Sequence, residues 1–409
     1  EICACLVGSE MCIRDRLRTG PCPEQDVCVD CLMFEGGFKM SLQMHAAVLT
    51  EPGTVEVQQV PVPTLKNGEA LIRVSCCGVC GSDVGMVYGR AHKYPLILGH
   101  EFSGIVTEVA GEQGRELVGK TVTAAPLLSC GQCAACRSGR PQACKSYLFM
   151  GSGTDGAMAE YVKVPVDHIL NLEGLTAEEG ALIEPITIAI HAVKRVQPDC
   201  LSKTVVLGGG PIGLLTAMVA KILGANKVIL LDVDERRVEF ARSLGIEAIN
   251  NATCSPEANG AGGATAVFEC AAAQASLRSA FALADYGGTV VLIAITKKDV
   301  VLTPEDLHHV LKKELLVTGA WLSCYVPWLD NDDWRLARRL LKEHRIQAAK
   351  LVTTWGTIDD SPAILEQQHR NPGANIKTMI LCSDEGEKTT GKLSVLADTQ
   401  NTRTCPQPI

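Results

Sequence analysis

The sequence has 409 residues and a formal charge of −8, and 46% of its residues are hydrophobic. This length predicts two domains rather than one. The negative charge argues against general nucleic-acid binding, and the low aromatic content of 4% argues against a stacking surface for single strands. The longest apolar stretches, such as GGTVVLIAI, are strand-sized and fall short of the about eighteen residues that a membrane span requires.

Nineteen cysteines are a high count, and six of them lie in the first 31 residues. The stretch CACLVG is too short for the apolar region of a signal peptide. We therefore expect a reducing, cytoplasmic location in which the cysteines are metal ligands or buried thiols. Residues 1–39 are interpreted as a non-native or disordered extension, and residues 383–409 as a polar tail.

Residues 40–185 are rich in short alternating runs. Examples are HAAVLTEPGTVEVQQVPVP and GEALIRVSCCGVCGSD, with Gly, Pro and Asn between the runs. This pattern is typical of strands joined by turns. It predicts an all-β domain that forms a partly open barrel.

The period changes near Thr176, where Glu179 three positions on predicts a capping box and a helix. Strand-like and helical segments then alternate, which predicts a parallel sheet with right-handed crossovers over residues 186–328. Residues 329–382 combine a helical stretch, DWRLARRLLKEH, with two strand-like pieces. We expect this last segment to return to the first domain.

Four cysteines, Cys130, Cys133, Cys136 and Cys144, follow the spacing C-x2-C-x2-C-x7-C. Short intervals let thiolates converge on one ion, so the spacing favours a structural zinc with four sulfur ligands. An iron–sulfur cluster is the alternative, because bacterial ferredoxins share the first two intervals. Disulfides are disfavoured in a reducing compartment.

A second metal site is predicted from Cys80 in GVCGSD and from His100 and Glu101 in LGHEFSG. One thiolate, one imidazole and one carboxylate leave a coordination position free, as in catalytic zinc sites. Glu184, at the start of a predicted helix, is a further candidate ligand or holds the metal's water. Each residue alone is more often structural, and only their joint presence points to a metal.

Two candidate proton carriers lie near these ligands in the sequence. Ser82 could accept the substrate proton, although serines often only bond a turn. His92 is a second candidate, for relay or substrate contact, although lone histidines are more often structural. Asp83 either orients a ligand or belongs to a turn.

The stretch VVLGGGPIG has the G-x-G-x-x-G order between an apolar strand and a helix, which is the context of a dinucleotide-binding turn. An aspartate ends the next strand, nineteen residues beyond the last glycine. Such a carboxylate bonds the adenosine ribose and favours NAD over NADP, although Arg236 and Arg237 nearby leave the choice open, since arginine can accommodate a phosphate. The candidate cofactor residues are Gly208, Gly210, Pro211, Ile212, Gly213, Asp232 and Arg237.

Taken together, GHE, CGQCAACRSGRPQAC and GGGPIG resemble the zinc-containing medium-chain dehydrogenases, over about His45 to Leu381. The resemblance implies an α/β chain with a GroES-like β-barrel catalytic domain, a Rossmann domain and an active site between them. It also implies two zinc ions and NAD per chain, with Cys80, His100 and Glu101 as catalytic ligands. A homodimer or homotetramer is expected from the family.

Within that family, GVCGSD and LIEP resemble the polyol branch. This implies hydride transfer from a secondary hydroxyl of a substrate such as galactitol 1-phosphate or sorbitol to NAD, giving a ketose. Activity on L-threonine or butanediol is an alternative. A different class, an inactive binding or structural protein on the same fold, is disfavoured because each expected ligand is present.

Overall fold

The computed structural model describes residues 42–296, 298–327 and 329–383. The predicted extension at 1–39 and all of the predicted tail beyond Ser383 lie outside the described residues. No helix in the described ranges combines the length and the apolar character needed to cross a membrane.

The strands are numbered in chain order. They are β1 Gln43–Glu51, β2 Thr54–Pro61, β3 Glu69–Val79, β4 Leu96–Ile97, β5 Glu101–Val109, β6 Thr121–Ala124, β7 Leu127–Leu128, β8 Leu148–Phe149, β9 Tyr161–Pro165, β10 Ile169–Asn171, β11 Lys203–Leu207, β12 Lys227–Asp232, β13 Glu247–Asn250, β14 Ala264–Glu269, β15 Ala284–Leu292, β16 Leu316–Gly319, β17 Val352–Thr357 and β18 Lys377–Leu381.

The α-helices are numbered in the same way. They are α1 Gly81–Tyr88, α2 Ala134–Arg137, α3 Ala177–Ala181, α4 Ile183–Lys194, α5 Pro211–Ile222, α6 Glu235–Ser243, α7 Gln274–Leu283, α8 Pro304–Lys312, α9 Asp333–Lys342 and α10 Ser361–Arg370.

The first part of the chain builds two mainly antiparallel sheets. Strands β2, β1 and β4 form one of them, and a larger sheet has the order β10-β6-β5-β3-β18-β17, with β9 also paired to β3. The long central strand β3 is buried along most of its length, as its apolar sequence EALIRVSCCGV predicts. The β-rich architecture expected for this region is confirmed.

One short stretch of this region differs from the sequence prediction. The run GEALIRVSCCGVCGSD was interpreted as a strand, but β3 ends at Val79 and α1 begins at Gly81. Asp83 explains the change, because its carboxylate accepts the backbone N–H of Cys80 at 2.8 Å and so caps the helix. The strand-to-helix switch places Cys80 at the corner between the two elements.

The second part contains a parallel sheet in the order β13-β12-β11-β14-β15-β16. Its central strand β11 is parallel to both β12 and β14. Val205 and Val206 at its centre are fully buried, because helices cover both faces of such a sheet. The predicted α/β class with a Rossmann-type parallel sheet is confirmed.

The last strands return to the larger antiparallel sheet. Strand β18 pairs antiparallel with β3 and parallel with β17. Lys377 at the start of β18 is therefore brought beside the end of β3, which precedes Cys80. The domain limits predicted at 185/186 and 328/329 stay predictions.

A buried ion cluster fixes α9 to α4, the helix that begins beside Glu184. The Asp333 carboxylate accepts from His191 Nδ1 and Lys194 Nζ, each at 2.9 Å. It also accepts the backbone N–H of Cys324 at 2.8 Å. Burial works against this charge, but His191 and Lys194 outweigh it and lower the pKa of Asp333.

We expect Asp333→Asn to lower the free energy of unfolding at pH 7 by about 2 kcal/mol, since it removes a buried charge that three donors stabilise. A lowered pKa in the folded state means that this contribution is present above the unfolded pKa of about 4 and is lost as the pH falls below it. Denaturant unfolding at pH 7 and near pH 3 measures the difference, with exposed Asp330→Asn as control. An equal loss at both pH values would contradict the ion-cluster account.

Candidate active site and metal centres

Three predicted ligands from separate elements meet in one place. Cys80 lies between β3 and α1, His100 immediately precedes β5, and Glu101 begins it. One ligand atom from each of these residues lies within 4.8 Å of the other two. His100 and Glu101 are buried. The register of β3 with β5, which pairs Gly78 with Glu101, produces this convergence.

The chemistry of this donor set fits a divalent cation. Desolvation, with the charge of Glu101, raises the pKa of the Cys80 thiol to about 12, so a thiolate there needs a positive charge beside it. His100 Nδ1 is buried and has no hydrogen-bond partner within the described residues. Its nearest carboxylate oxygen, Asp83 Oδ1, is 3.8 Å away. A metal ion such as zinc can bind an imidazole nitrogen that lacks a hydrogen-bond partner, and it stabilises a buried thiolate.

Asp83 braces the ligands from behind. Its carboxylate is fully buried, and it accepts the backbone N–H groups of Cys80 at 2.8 Å and Gly99 at 3.3 Å. Burial raises the pKa of Asp83, and His100 opposes that shift. One carboxylate thus bonds the backbone of both segments that carry candidate ligands. The sequence left two interpretations of Asp83, and this geometry supports the one in which it orients a ligand.

Lys377 was not singled out by the sequence, yet it forms a buried ion pair with the Glu101 carboxylate. It also donates to the carbonyl oxygen of Val79 at 3.0 Å. Burial alone would lower the pKa of Lys377, but Glu101, Cys80 and Glu184 together raise it. The lysine therefore stays charged and supplies part of the positive charge that the acidic ligands require.

Gly78 provides the room for this ion pair. A Cβ atom at Gly78 would lie 2.5 Å from Glu101 Oε2 and 3.0 Å from Lys377 Cε. Any larger residue would push the carboxylate or the lysine from its position. The glycine sits at the centre of the three strands β5, β3 and β18, where Gly78 faces Glu101 on one side and Met379 on the other.

Glu184 lies at the edge of this cluster. It is buried in the first turn of α4, outside the group of atoms that share the 4.8 Å spacing. Desolvation raises the pKa of Glu184 to about 8, with His100 opposing and Glu101 and Cys80 adding to the shift. The carboxyl therefore interacts with the three ligands and holds a proton at neutral pH when no cation is bound.

The structure places the two candidate proton carriers differently. Ser82 is exposed at the start of α1, two residues from Cys80, and its hydroxyl lowers the pKa of the Cys80 thiol, against the larger effect of burial. His92 is exposed beyond the end of α1, and no hydrogen bond or ion pair within the described residues involves it. Ser82 is therefore the nearer of the two candidates to the cluster.

Phe149, which the sequence did not indicate, packs edge-on against His100 with ring centroids 5.1 Å apart.

The four-cysteine segment forms its own compact group. Sulfur atoms of neighbouring members are 3.4 Å apart for Cys144 and Cys130, 3.5 Å for Cys133 and Cys136, and 4.0 Å for Cys130 and Cys136. These separations fit a zinc tetrahedron, whose edges are about 3.8 Å for Zn–S bonds of about 2.3 Å. They exceed a disulfide bond of about 2.05 Å.

Backbone amides prepare these thiols for a metal. Amides of Cys136 and Lys145 lower the pKa of Cys133 to about 6, so its thiolate forms readily. Cys144 Sγ accepts the N–H groups of Cys130 at 3.3 Å and Ser146 at 3.4 Å. Four sulfur donors fill a tetrahedral ion, so this segment leaves no position for a substrate.

The glycine turn between β11 and α5 has the shape of a pyrophosphate cradle. Gly208 adopts a positive φ of 106°, and a Cβ on Gly213 would collide with the Gly208 carbonyl oxygen. Gly210 precedes Pro211 at the start of α5 and faces open space. Ile212 follows in the first turn. The open N-terminus of this twelve-residue helix fits a dinucleotide phosphate.

Asp232, at the carboxyl end of β12, completes the cofactor edge. Its Oδ2 accepts the Gly209 N–H at 2.6 Å, and its Oδ1 accepts the Asp234 N–H at 2.9 Å. Arg237 Nη1 lies 3.6 Å from the same carboxylate. The glycine turn and the Asp232 carboxylate are thus fixed to each other.

Comparison with known proteins identifies the family. Residues 66–174 match the alcohol dehydrogenase GroES-like domain, and residues 211–343 match the zinc-binding dehydrogenase family. The chain is 31% identical to galactitol 1-phosphate 5-dehydrogenase of Escherichia coli over 80% of this chain and 97% of that protein. It is 30% identical to D-xylulose reductase of Saccharomyces cerevisiae over 82% of this chain and 97% of that protein.

Solved structures agree with this result. Galactitol-1-phosphate dehydrogenase from Escherichia coli superposes with a TM-score of 0.76 at 29% identity, over 83% of this chain and all of that one. A zinc-binding dehydrogenase from Sinorhizobium meliloti bound to NADP superposes with a TM-score of 0.76 at 29% identity, over 83% of this chain and 100% of that one. The chain belongs to the zinc-containing medium-chain polyol dehydrogenases. Its class is therefore that of oxidoreductases that act on CH–OH donors with zinc and a nicotinamide cofactor.

We expect Gly78→Ala to weaken zinc binding at the Cys80 site by about tenfold to a hundredfold, because the added methyl group displaces the Glu101–Lys377 pair that supports a ligand. The measurement is zinc retained per chain after dialysis against graded chelator. Gly81→Ala is the matched control, since a Cβ there meets nothing within 4 Å. Equal zinc retention by the two variants would show that the ion pair does not support the metal site.

Proposed function

We propose that this protein is a zinc-dependent dehydrogenase that oxidises a secondary hydroxyl of a polyol or polyol phosphate to a ketose, with NAD as hydride acceptor. The observation that carries the proposal is the meeting of Cys80, His100 and Glu101 within 4.8 Å, with Glu184 at the edge of the cluster. Three ligands leave one position of a tetrahedral ion free. We assign a catalytic zinc to this site and a structural zinc to the four cysteines, which makes two per chain.

Zinc, when bound, supplies Lewis acidity at the substrate oxygen, and NAD supplies the hydride acceptor. The chain's own residues do the rest of the work. Cys80, His100 and Glu101 hold the metal, and Lys377 balances the charge of Glu101. Glu184 lies beside these ligands in the first turn of α4, where its carboxyl would hold water on the metal or exchange a proton with it.

Ser82 is the residue we assign to proton removal. Its hydroxyl is next to Cys80 and exposed, so it bridges the buried ligands and the solvent. A proton leaving the substrate hydroxyl can pass through this group to water. His92 keeps only a proposed part in substrate contact, because no contact ties it to the ligands.

NAD rather than NADP is proposed as the cofactor. Asp232 carries a negative charge at the position where the adenosine ribose binds in this class of turn, and it repels a 2′-phosphate. The structural relative bound to NADP shows that this fold also accepts the phosphorylated cofactor. The choice therefore depends on the residues around Asp232 in this chain.

For the substrate, we propose a compound such as galactitol 1-phosphate or sorbitol, since curated relatives are named for galactitol 1-phosphate and for D-xylulose. L-threonine and butanediol are the alternatives to be tested beside it. We propose a reducing compartment, the cytoplasm, because the twelve cysteines of the described residues are all free thiols.

The direct test follows NADH formation by the purified protein with galactitol 1-phosphate, sorbitol, xylitol, butanediol and L-threonine in parallel. We expect turnover of one polyol or polyol phosphate that chelator abolishes and zinc restores. Zinc per chain is measured on the same sample and should be two. A folded, zinc-loaded protein that oxidises no member of the panel would contradict the proposed substrate class and support a binding or structural role.

Two matched variants separate the metal sites within the same assay. Cys80→Ser should lose one zinc and turnover while the protein stays folded, because the open site carries the chemistry. Cys133→Ser should lose the other zinc and lower the melting temperature, because metal binding at a four-thiolate site is coupled to folding. Cys254→Ser, at an exposed cysteine, is the control. Full turnover by the Cys80 variant would remove that residue from the mechanism.

We also propose a homo-oligomer formed through the outer edge of the parallel sheet. Strand β16 has β15 as its one neighbour among the described strands, and Leu316 and Val317 on it are exposed by 58% and 38%. An apolar open strand edge favours pairing with a second copy. Leu316→Lys should shift the sedimentation coefficient to that of a monomer, and exposed Leu201→Lys should not. A monomeric wild-type protein would overturn this proposal.

A further inference from the structure

A turn from the far end of the chain reaches the adenosine edge of the cofactor site. Residues 371–374 connect α10 to β18, and the Ala374 N–H donates to the Asn371 carbonyl at 3.1 Å. Arg237 Nη2, on the first turn of α6, donates to the Pro372 carbonyl at 2.6 Å. The cofactor edge is thus contacted by a segment that the glycine-turn motif does not include.

Gly373 brings this turn against several charged groups at once. A Cβ atom at Gly373 would lie 3.3 Å from Asp234 Oδ2, 3.5 Å from Arg236 Nη2 and 3.7 Å from Arg237 Nη2. Any side chain at this position would therefore stand among the carboxylate and both guanidinium groups. Because Gly373 is partly exposed and its φ is not positive, other residues can occupy it without backbone strain.

Both arginines at this edge are already engaged. Arg236 bonds Asp234 through Nε at 3.1 Å and Nη2 at 2.7 Å. Arg237 holds the Pro372 carbonyl with one nitrogen and lies 3.6 Å from Asp232 with another. Arg237 Nη2 and two nitrogens of Arg236 are thus held by oxygen atoms of the chain, which opposes the bidentate contact by which an arginine binds a phosphate.

Resting on the proposed use of a nicotinamide cofactor, we propose that Pro372 and Gly373 in this turn form one wall of the adenosine-ribose site and exclude NADP by holding Arg237. Asp232 repels a 2′-phosphate, and the turn removes the cation that would compensate for this repulsion. The turn also holds Arg237 beside the Asp232 carboxylate. The conformation of the Arg237 side chain is therefore already fixed when NAD binds, and binding does not have to pay that entropy.

The test measures dissociation constants of NAD and NADP by calorimetry, with no substrate and no turnover. In Gly373→Val, the branched side chain displaces the turn and releases Arg237. We expect NAD to bind about threefold to tenfold more weakly, because the arginine must now be ordered by the cofactor. We expect the preference for NAD over NADP to shrink by about tenfold or more, because the freed arginine can meet the phosphate.

Ala374→Val is the matched control, since it adds the same atoms to the next, exposed residue of the turn. It should leave both constants within about twofold, a change of less than half a kcal/mol. Adding Arg237→Ala to Gly373→Val should abolish the gain for NADP. If Gly373→Val does not fold, Gly373→Asp serves instead: its carboxylate keeps both arginines paired, so the preference for NAD should persist or grow.

The outcomes separate this inference from the function on which it rests. If Gly373→Val and Ala374→Val have the same dissociation constant for NAD and the same one for NADP, the role of the turn is overturned. The dehydrogenase proposal would remain intact. A gain for NADP that survives loss of Arg237 would overturn the role of the arginine. Wild-type protein that binds neither cofactor would overturn the proposed function itself.

Discussion

The burial of several acidic groups around one point is the constraint on which the active site depends. Cys80, Asp83 and Glu184 lie close to Glu101, and burial raises the pKa of these three groups. Lys377 is the one buried lysine among the described residues, and it forms an ion pair with Glu101. One cation cannot balance a thiolate and two or more carboxylates, so the arrangement is stable in its ionised form only with a further positive charge. A divalent metal ion would supply that charge, and it is the group that the proposed chemistry uses.

The C-terminal segment serves both halves of the active site. Lys377 on β18 pairs with the metal ligand Glu101, and the turn five residues earlier holds Arg237 at the cofactor edge. The two contacts come from the first residue of β18 and from the connection that precedes it, five residues apart, so the position of one constrains the other.

The sequence predicted those parts of the site in which chemistry depends on local spacing. The four cysteines lie within fifteen positions, and the glycine turn is recognised by the strand and helix beside it. Cys80, His100 and Glu101 were also predicted, because a thiolate, an imidazole and a carboxylate occur together in a chain that also has the four-cysteine segment. The sequence did not reveal Lys377, whose partner Val79 is 298 positions away, because strand register decides that contact. It misassigned the start of α1 because a side-chain cap, rather than periodicity, ends the strand there.

The two candidate metal sites differ in their number of donor atoms, and this number decides whether a site can only stabilise the fold or can also bind a substrate. Four sulfurs near tetrahedral spacing saturate an ion, and their backbone amides stabilise the thiolates, so the segment gains rigidity and offers no open position. The Cys80 site has fewer donors, of mixed type, and its remaining charge is balanced by a lysine that cannot ligate while protonated. That imbalance leaves a place for a neutral hydroxyl beside the ion. In the proposed reaction the substrate oxygen would enter where a fourth thiolate would have closed the site, and Ser82, two residues from Cys80, is exposed to solvent.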